Sequence, residues 1–495
     1  MQEVRVGRFE THYRLPQSKL AERWRLDQIR RILLEEAFEL ALERAGLPED
    51  GELCIRKIYA PIRLGLAGTD AAIAVDWSFA LAEEITRELR MGRTSNMVFY
   101  HSRRQAVIDL AISTARDDLS RAWAWSQLGL WRAGQQSSGI EAIFELVRTL
   151  CAEPAMVVPV FRALDEAELL DRVIWKMTGR QLMALASAAL SEAGVAYVAN
   201  EADHAPTSRA MRDAMRVLNA SPLLRYVTSL GLLADETDEA TRAIAALAVL
   251  EAEPALLRKQ TARSLISIIA GAIRSARDET ILAPSEHDQA RAADFDERQE
   301  ECVSLEDTGA MVIQHATQGK KESKVPDLRK RSFTRFGGLL FLLGVIEDLK
   351  LLDDILGHAA LGLRPFQWVM HRLALRLVEA RPDDAAALAF AGLSPQAHPP
   401  SDNLEVLSDD EEQAIEMIAE AIIEHLGARL NRSDEPAVKS LEFVCHRRAE
   451  IVADPGWIDV KFSLDELSTE IRRAGLDLNP GYLPWLGVVV RFVYE

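Results

Sequence analysis

The sequence predicts a mainly α-helical protein with a small α/β module at each end. Three observations predict it. Between Arg103 and about Leu282 the apolar residues recur only at helical spacing. In the first hundred residues, alternating stretches take turns with long helical ones. In the last sixty, two short β-branched runs precede a capped helix, and "VVVRFVY" follows it.

At the start, Val4 and Val6 share one face. Phe9, Thr11, Tyr13 and Leu15 alternate in the odd register, so a strand is read from Glu3 to Leu15, with a bulge at Gly7 and a stop at Pro16. "SKLAERWRLDQIRRILLEEAFELALERAG" then reads as a helix capped by Ser18. Its apolar face is Ile29, Leu33, Ala37 and Leu40, and Gly46 and Pro48 end it. "ELCIRKIYAPIRLGL" reads as a second strand, Asp70 to Gly92 as a helix carrying Trp77, and "NMVFYH" as a short third strand. These make an N-terminal α/β module, 1–102. A helical domain, 103–282, is cut into short pieces by Pro154, Pro159, Pro206, Pro222 and Pro254.

Residues 283–330 are polar, with few aromatics and mixed charge, and read as a linker without stable secondary structure. A second helical region, 331–432, opens on "FGGLLFLLGVI". It contains "SDDEEQAIEMIAEAIIEHLG", with a capping box at Ser408 and Glu411 and a stop at Gly427. In a C-terminal ββαβ module, 433–495, "EIVADPGWIDVKF" gives two strands about Pro455-Gly456. "SLDELSTEIRRAG" gives a helix with a Ser463/Glu466 capping box. Val488 to Tyr494 gives a strand buried on both faces.

Composition limits the function classes. The 495 residues carry a net charge of −18, which opposes binding to nucleic acid or anionic lipid. Four scattered cysteines imply reduced thiols, and with no apolar signal segment the expected location is cytoplasmic. The most apolar run, Phe336 to Ile346, is far shorter than the ~20 residues of a membrane helix.

The chemical motifs are weak. "HATQGKKES" has Gly319-Lys320 without the phosphate-loop glycine or hydroxyl, and "RLGLAGTD" lacks dinucleotide glycine spacing. The histidines form no metal pair at helical or hairpin spacing. Cys445-His446 is a nucleophile pair on paper, but adjacent residues point apart. The sequence therefore gives no catalytic residue, cofactor or metal. Trp123, Trp125 and Trp131 cluster on one predicted helix, read either as core or as a subunit contact. With Trp485, Val488, Val490 and Phe492 they form the candidate partner-docking set. A basic island runs from Lys320 to Arg335, either a solvated flank or a surface for an acidic protein.

Several of these stretches resemble one family. The order strand, charged helix, "CIRKIYAPIRLGL", helix resembles the opening of the tape-measure proteins of contractile injection systems, which are phage-tail-like particles. "FGGLLFLLGVIEDLKLLDDIL" resembles their apolar Gly-Leu-Leu helix. "DPGWIDVKFSLDELSTEIRRAGLDLNPGYLPWLGVVVRFVYE" is similar to the end of proteins encoded with such particles. The chain departs from an Asn-Ala-Gly-Leu-type opening by having Phe336-Gly337-Gly338. The resemblance implies a non-enzymatic assembly protein, tape-measure-like or a tube and baseplate assembly factor. Its partners would be tube, sheath or baseplate subunits. An adaptor or cargo-loading chaperone working with the particle's ATPase is the alternative, and an enzyme with an unrecognised site a third. A fully helical ruler of this length would span roughly 740 Å, which the prolines and glycine stops oppose.

Overall fold

The structure is a computed structural model. It describes residues 6–45, 51–91, 96–132, 139–195, 207–229, 238–259, 261–282, 325–401, 407–431 and 437–495. It is mainly α, with 20 helices, a two-stranded sheet and a five-stranded sheet among the described residues. Two compact units are present. The described residues of one fall within 1–110, 118–136 and 314–326, those of the other within 111–117, 137–313 and 327–495. The two helical sets and the C-terminal sheet, read as separate parcels from sequence, thus share one unit.

In the first unit, α1 (Glu22–Ile32) and α2 (Phe38–Arg44) are joined by a π turn, Leu33–Ala37. The turn inserts one residue and shifts the buried face to Leu33, Phe38 and Ala41. Leu40, expected on that face, is exposed. The predicted Ser18 cap is replaced by a 3₁₀ turn at Gln17–Lys19, with Ala21 at the N-cap of α1. β1 (Glu52–Ile55) pairs antiparallel with β2 (Met97–Tyr100), and α3 (Asp70–Met91) packs on α1 and α2.

The expected strand over 3–15 is absent from its described part, 6–15. Phe9, Tyr13 and Leu15 still pack on the core, with Phe9 and Tyr13 6.3 and 6.4 Å from the Trp77 ring. Beyond β1 the same thing happens. Ile58, Ala60, Ile62, Leu64 and Leu66 alternate onto the core without a ladder. Alternation makes an extended chain with one apolar side; a strand also needs a backbone ladder with a neighbour, and none of the described residues forms one with these stretches. α4 (Arg103–Ala115) and α5 (Ala122–Gln127) follow.

The second unit begins with a helical set: α6 (Gly139–Ala152), α7 (Val157–Glu166), α8 (Leu170–Lys176), α9 (Gly179–Glu192), α10 (Ser208–Ala220), α11 (Pro222–Ser229), α12 (Asp238–Ala252) and α13 (Ala262–Leu282). Pro154, Pro222 and Pro254 each open a helical element, and Pro159 lies in the first turn of α7, where its missing N–H costs nothing. Pro206 and most of the expected linker, 283–324, lie outside the described residues. Lys330, placed at the linker's end from sequence, starts β3 (Lys330–Thr334).

After a 3₁₀ turn at Gly337–Phe341 come α14 (Leu342–Asp348), α15 (Leu351–Gly357), α16 (Phe366–Leu377), α17 (Ala385–Phe390), α18 (Asp409–Arg429) and α19 (Ala437–Cys445). The Ser408/Glu411 capping box of α18 forms with both arms, but Gly427 lies inside the helix. The Gly337-Gly338 pair lets the turn approach its neighbours. A Cβ on Gly338 would stand 1.9 Å from the Val444 carbonyl oxygen.

The C-terminal sheet has the order β3-β4-β5-β7-β6, with β4 (Ala449–Asp454), β5 (Trp457–Phe462), β6 (Gly481–Leu483) and β7 (Val488–Tyr494). Pro455-Gly456 makes the β4–β5 turn, with Gly456 at φ +71°. The module is larger than the expected ββαβ unit, because β3 joins from before the helices and β6 forms within the Asn479-Pro480-Gly481 region. The Ser463/Glu466 box does not form. Ser463 makes no cap, Leu464 N–H donates to the Glu495 carbonyl, and α20 (Thr469–Arg473) starts only after Ser468. β7 is an interior strand, parallel to β5 and antiparallel to β6. Its Val488, Val490 and Phe492 face the core, where Phe341 lies 4.8 Å from the Phe492 ring and 5.2 Å from Phe462.

Candidate functional site

Six of the seven candidate docking residues lie in the protein's own interior: Trp125, Trp131, Trp485, Val488, Val490 and Phe492. Trp123 is half-buried. Trp125 Nε1 donates to Asp109 Oδ2 (3.0 Å), Tyr100 Oη to the same oxygen (2.8 Å), and Arg121 Nη2 to Asp109 Oδ1 (2.6 Å). This closed network spends the tryptophan's polar edge internally. Burial beside Asp109 pushes the Tyr100 phenol upward. Trp485 likewise donates to Glu347 Oε1 (2.9 Å). Docking through these side chains would require the core to open.

Cys445 and His446 do part company. The thiol is buried and its pKa raised by burial, while the imidazole is exposed, 5.1 Å from the Phe336 ring. The "RLGLAGTD" loop is held by Arg25, which donates to the Leu66 and Gly68 carbonyls and to Asp70.

The strongest concentration of shifted groups was not legible in the sequence. Arg216 Nη2 lies 2.8 Å from Asp213 Oδ1 and Arg216 Nε 3.0 Å from Glu253 Oε1. Lys259 Nζ lies 3.0 Å from Asp213 Oδ2 and 3.1 Å from the Gly362 carbonyl. Asp213 thus has two cations, and Glu253 shares one. Burial pushes Glu253 up to about 7 against the pull of Arg216, and lowers Lys259 against Asp213. Nearby, burial also raises Glu251, whose Oε2 caps α11 by accepting from Ser221 Oγ and Leu223 N–H. A near-neutral acid beside a depressed lysine has the form of a catalytic pair. Here, though, Arg216, Lys259 and Arg209 reach the carbonyls of Leu363, Gly362 and Leu356, so the cluster braces the first helical set against the corner before α16. A recess lined by Pro154, Val158, Pro159 and Tyr482 has a volume near 10 Å³, room for about one water. Among the described residues no group of acidic, histidine or cysteine side chains is arranged to hold a metal, and no helix is long and apolar enough to cross a membrane.

The surface offers more than the interior. Ile140 and Phe144, one turn apart on α6, are 84% and 61% exposed, and Trp175 on neighbouring α8 is 57% exposed. The C-terminal sheet presents β3 as an edge, paired only with β4, and Phe333 on it is 79% exposed. Of the basic island, Arg329 grips Asp454 with two bonds (3.0 and 2.7 Å), while Lys330, Arg331 and Arg335 are exposed, with Arg331 at 4.0 Å from Glu450 on β4. The alternation in "KRSFT" was the available signal for β3. Comparison with protein-family models, curated proteins and solved structures returned no match.

Proposed function

We propose that this protein is a non-catalytic assembly component of a contractile, phage-tail-like injection particle, acting by docking on tube or baseplate subunits. The observation that carries this reading is the packing of its two C-terminal resemblance segments. Phe336–Ile346 and Asp454–Glu495 are about a hundred residues apart in sequence, yet they share one core through Phe341, Phe462 and Phe492. These two segments thus belong to one folded body, while the opening stretch of the resemblance lies in the first unit. Exposed Ile140, Phe144 and Trp175 supply apolar contact area of the kind that protein interfaces bury. Helices such as the 22-residue α3 span about 33 Å each, which suits an assembly factor better than a ruler acting through its own helical length.

The test is a deletion strain of the producing organism, viewed by electron microscopy. Missing particles or particles of altered length are expected. Normal particles in normal number would overturn the reading. Purified particles that retain the protein distinguish a resident component from an assembly chaperone.

A further inference from the structure

We propose that the open edge of β3 is a docking site for an extended, acidic segment of a particle subunit, bound by strand addition. This rests on the assembly reading above and names where and what it binds.

The backbone directions can be worked out from the sheet. Val489 N–H donates to the Gly456 carbonyl and Glu495 N–H to the Phe462 carbonyl, so Ile458, Val460 and Phe462 turn their backbone groups toward β7. Trp457, Asp459 and Lys461 therefore face β4, opposite Asp454, Val452 and Glu450. That leaves Ala449, Ile451 and Ala453 facing β3, opposite Thr334, Ser332 and Lys330. Arg331 and Phe333 must then direct their N–H and C=O groups outward. An independent contact agrees: Gln396 Nε2 donates to the Arg331 carbonyl from outside the sheet (2.8 Å). The outward N–H and C=O of Phe333 pair with no other described residue.

The opposite edge is different. β6 has three residues, and its Tyr482 is enclosed with Pro154 and Pro159 of the first helical set. β7, which carries the candidate docking residues Val488, Val490 and Phe492, has β5 on one side and β6 on the other. Among the described residues β3 is therefore the edge left for a further strand, free at Phe333, while at Arg331 an incoming strand would take the carbonyl over from the exposed Gln396 side chain.

Charge selects the occupant. Lys330, Arg331 and Arg335 are exposed within six residues on a chain of net charge −18. Basic residues on an edge repel indiscriminate pairing. The same residues favour an incoming strand with carboxylates opposite them. The side chains of Arg331 and Phe333 share the solvent face of the sheet. The fitting segment is extended, with acidic residues near Lys330 and Arg331 and an apolar one against Phe333. Main-chain bonds would supply affinity and these side chains specificity.

The deletion strain is complemented with the wild-type gene, with Phe333→Pro, and with the double change Lys330→Glu and Arg331→Glu. Proline removes an N–H that β4 does not use; the charge reversal leaves the backbone intact. The readouts are particle number, the amount of protein retained in purified particles, and the melting temperature and self-association of each purified variant. At least a tenfold loss of particles or of retained protein is expected in both variants, with the charge reversal melting like wild type. Wild-type performance by both variants, against a defect in the deletion strain, overturns the β3 edge alone. Normal particles in the deletion strain overturn the assembly reading and the edge with it. Wild-type dimers that both variants dissolve, without change in particles, would make the occupant a second copy and overturn the subunit as partner.

Discussion

Replacing Glu253 with glutamine should make the protein less sensitive to alkaline pH. Glu253 is 8% exposed and shares Arg216 with Asp213, whose other oxygen takes Lys259. In the folded state its pKa stands at about 7, against 4.5 for the ordinary value. A carboxyl raised on folding binds its proton more tightly in the native state. Its contribution to stability is full below pH 4.5 and is lost as pH rises through 7. The complete loss is about 3 kcal/mol at 1.36 kcal/mol per unit, and roughly 2–3 kcal/mol of it falls between pH 5 and pH 8. The glutamine amide cannot ionise and keeps a carbonyl oxygen for Arg216. Other titrations, including the raised Glu251, are common to both proteins and cancel in the difference. The assay is urea denaturation of wild type and Glu253→Gln at pH 5, 6, 7 and 8. The variant should gain on the wild type steadily across that range, whatever constant offset the amide introduces. A difference that stays flat from pH 5 to pH 8 would refute the argument, because it would mean that Arg216 compensates fully for burial.

Deleting Val488–Glu495 removes an interior strand with four buried side chains, each worth about 1.5–3 kcal/mol, so the second unit should aggregate or melt far below the full chain; equal melting would exclude the packing described. Two neighbouring glycines should behave oppositely. Gly338→Ala places a Cβ against the Val444 carbonyl and should destabilise by about 1–3 kcal/mol or more. Gly344→Ala in α14 meets nothing within 4 Å and should stabilise by up to about 1 kcal/mol, both read from denaturant midpoints. Asp109→Asn removes the carboxylate charge 2.6 Å from the buried Arg121 guanidinium and should cost about 3–5 kcal/mol, with faster hydrogen exchange over β2 and α5; a cost below about 1 kcal/mol would mean the ion pair is dispensable.

The sequence by itself determined the class and much of the local detail. Helical spacing between Arg103 and Leu282 marked the helical set, and Pro154, Pro159, Pro222 and Pro254 open or enter helices where a missing N–H is harmless. Ser408 with Glu411 fixed the start of α18, because both arms of that cap are local bonds. Consecutive valines marked the start of β7 as buried on both faces, which holds for Val488, Val489 and Val490, whereas further along Arg491 is exposed on the second face. These features depend on residues within a few positions of one another, so a linear reading reaches them.

Tertiary structure decided what depends on partners far along the chain. The alternations at 6–15 and 58–66 each put an apolar side on the core, but among the described residues none pairs with them to make them strands. "KRSFT" has a weaker pattern and became β3, because β4 offered it an edge. Leu40 lost its place in the core to the π turn that precedes α2. The bracing cluster is the clearest case. Asp213, Arg216, Glu253 and Lys259 are ordinary surface-type residues in one dimension, and Gly362 is about a hundred residues further on. Only the approach of α10 to the corner before α16 buries them together, and burial is what moves their charges away from ordinary behaviour.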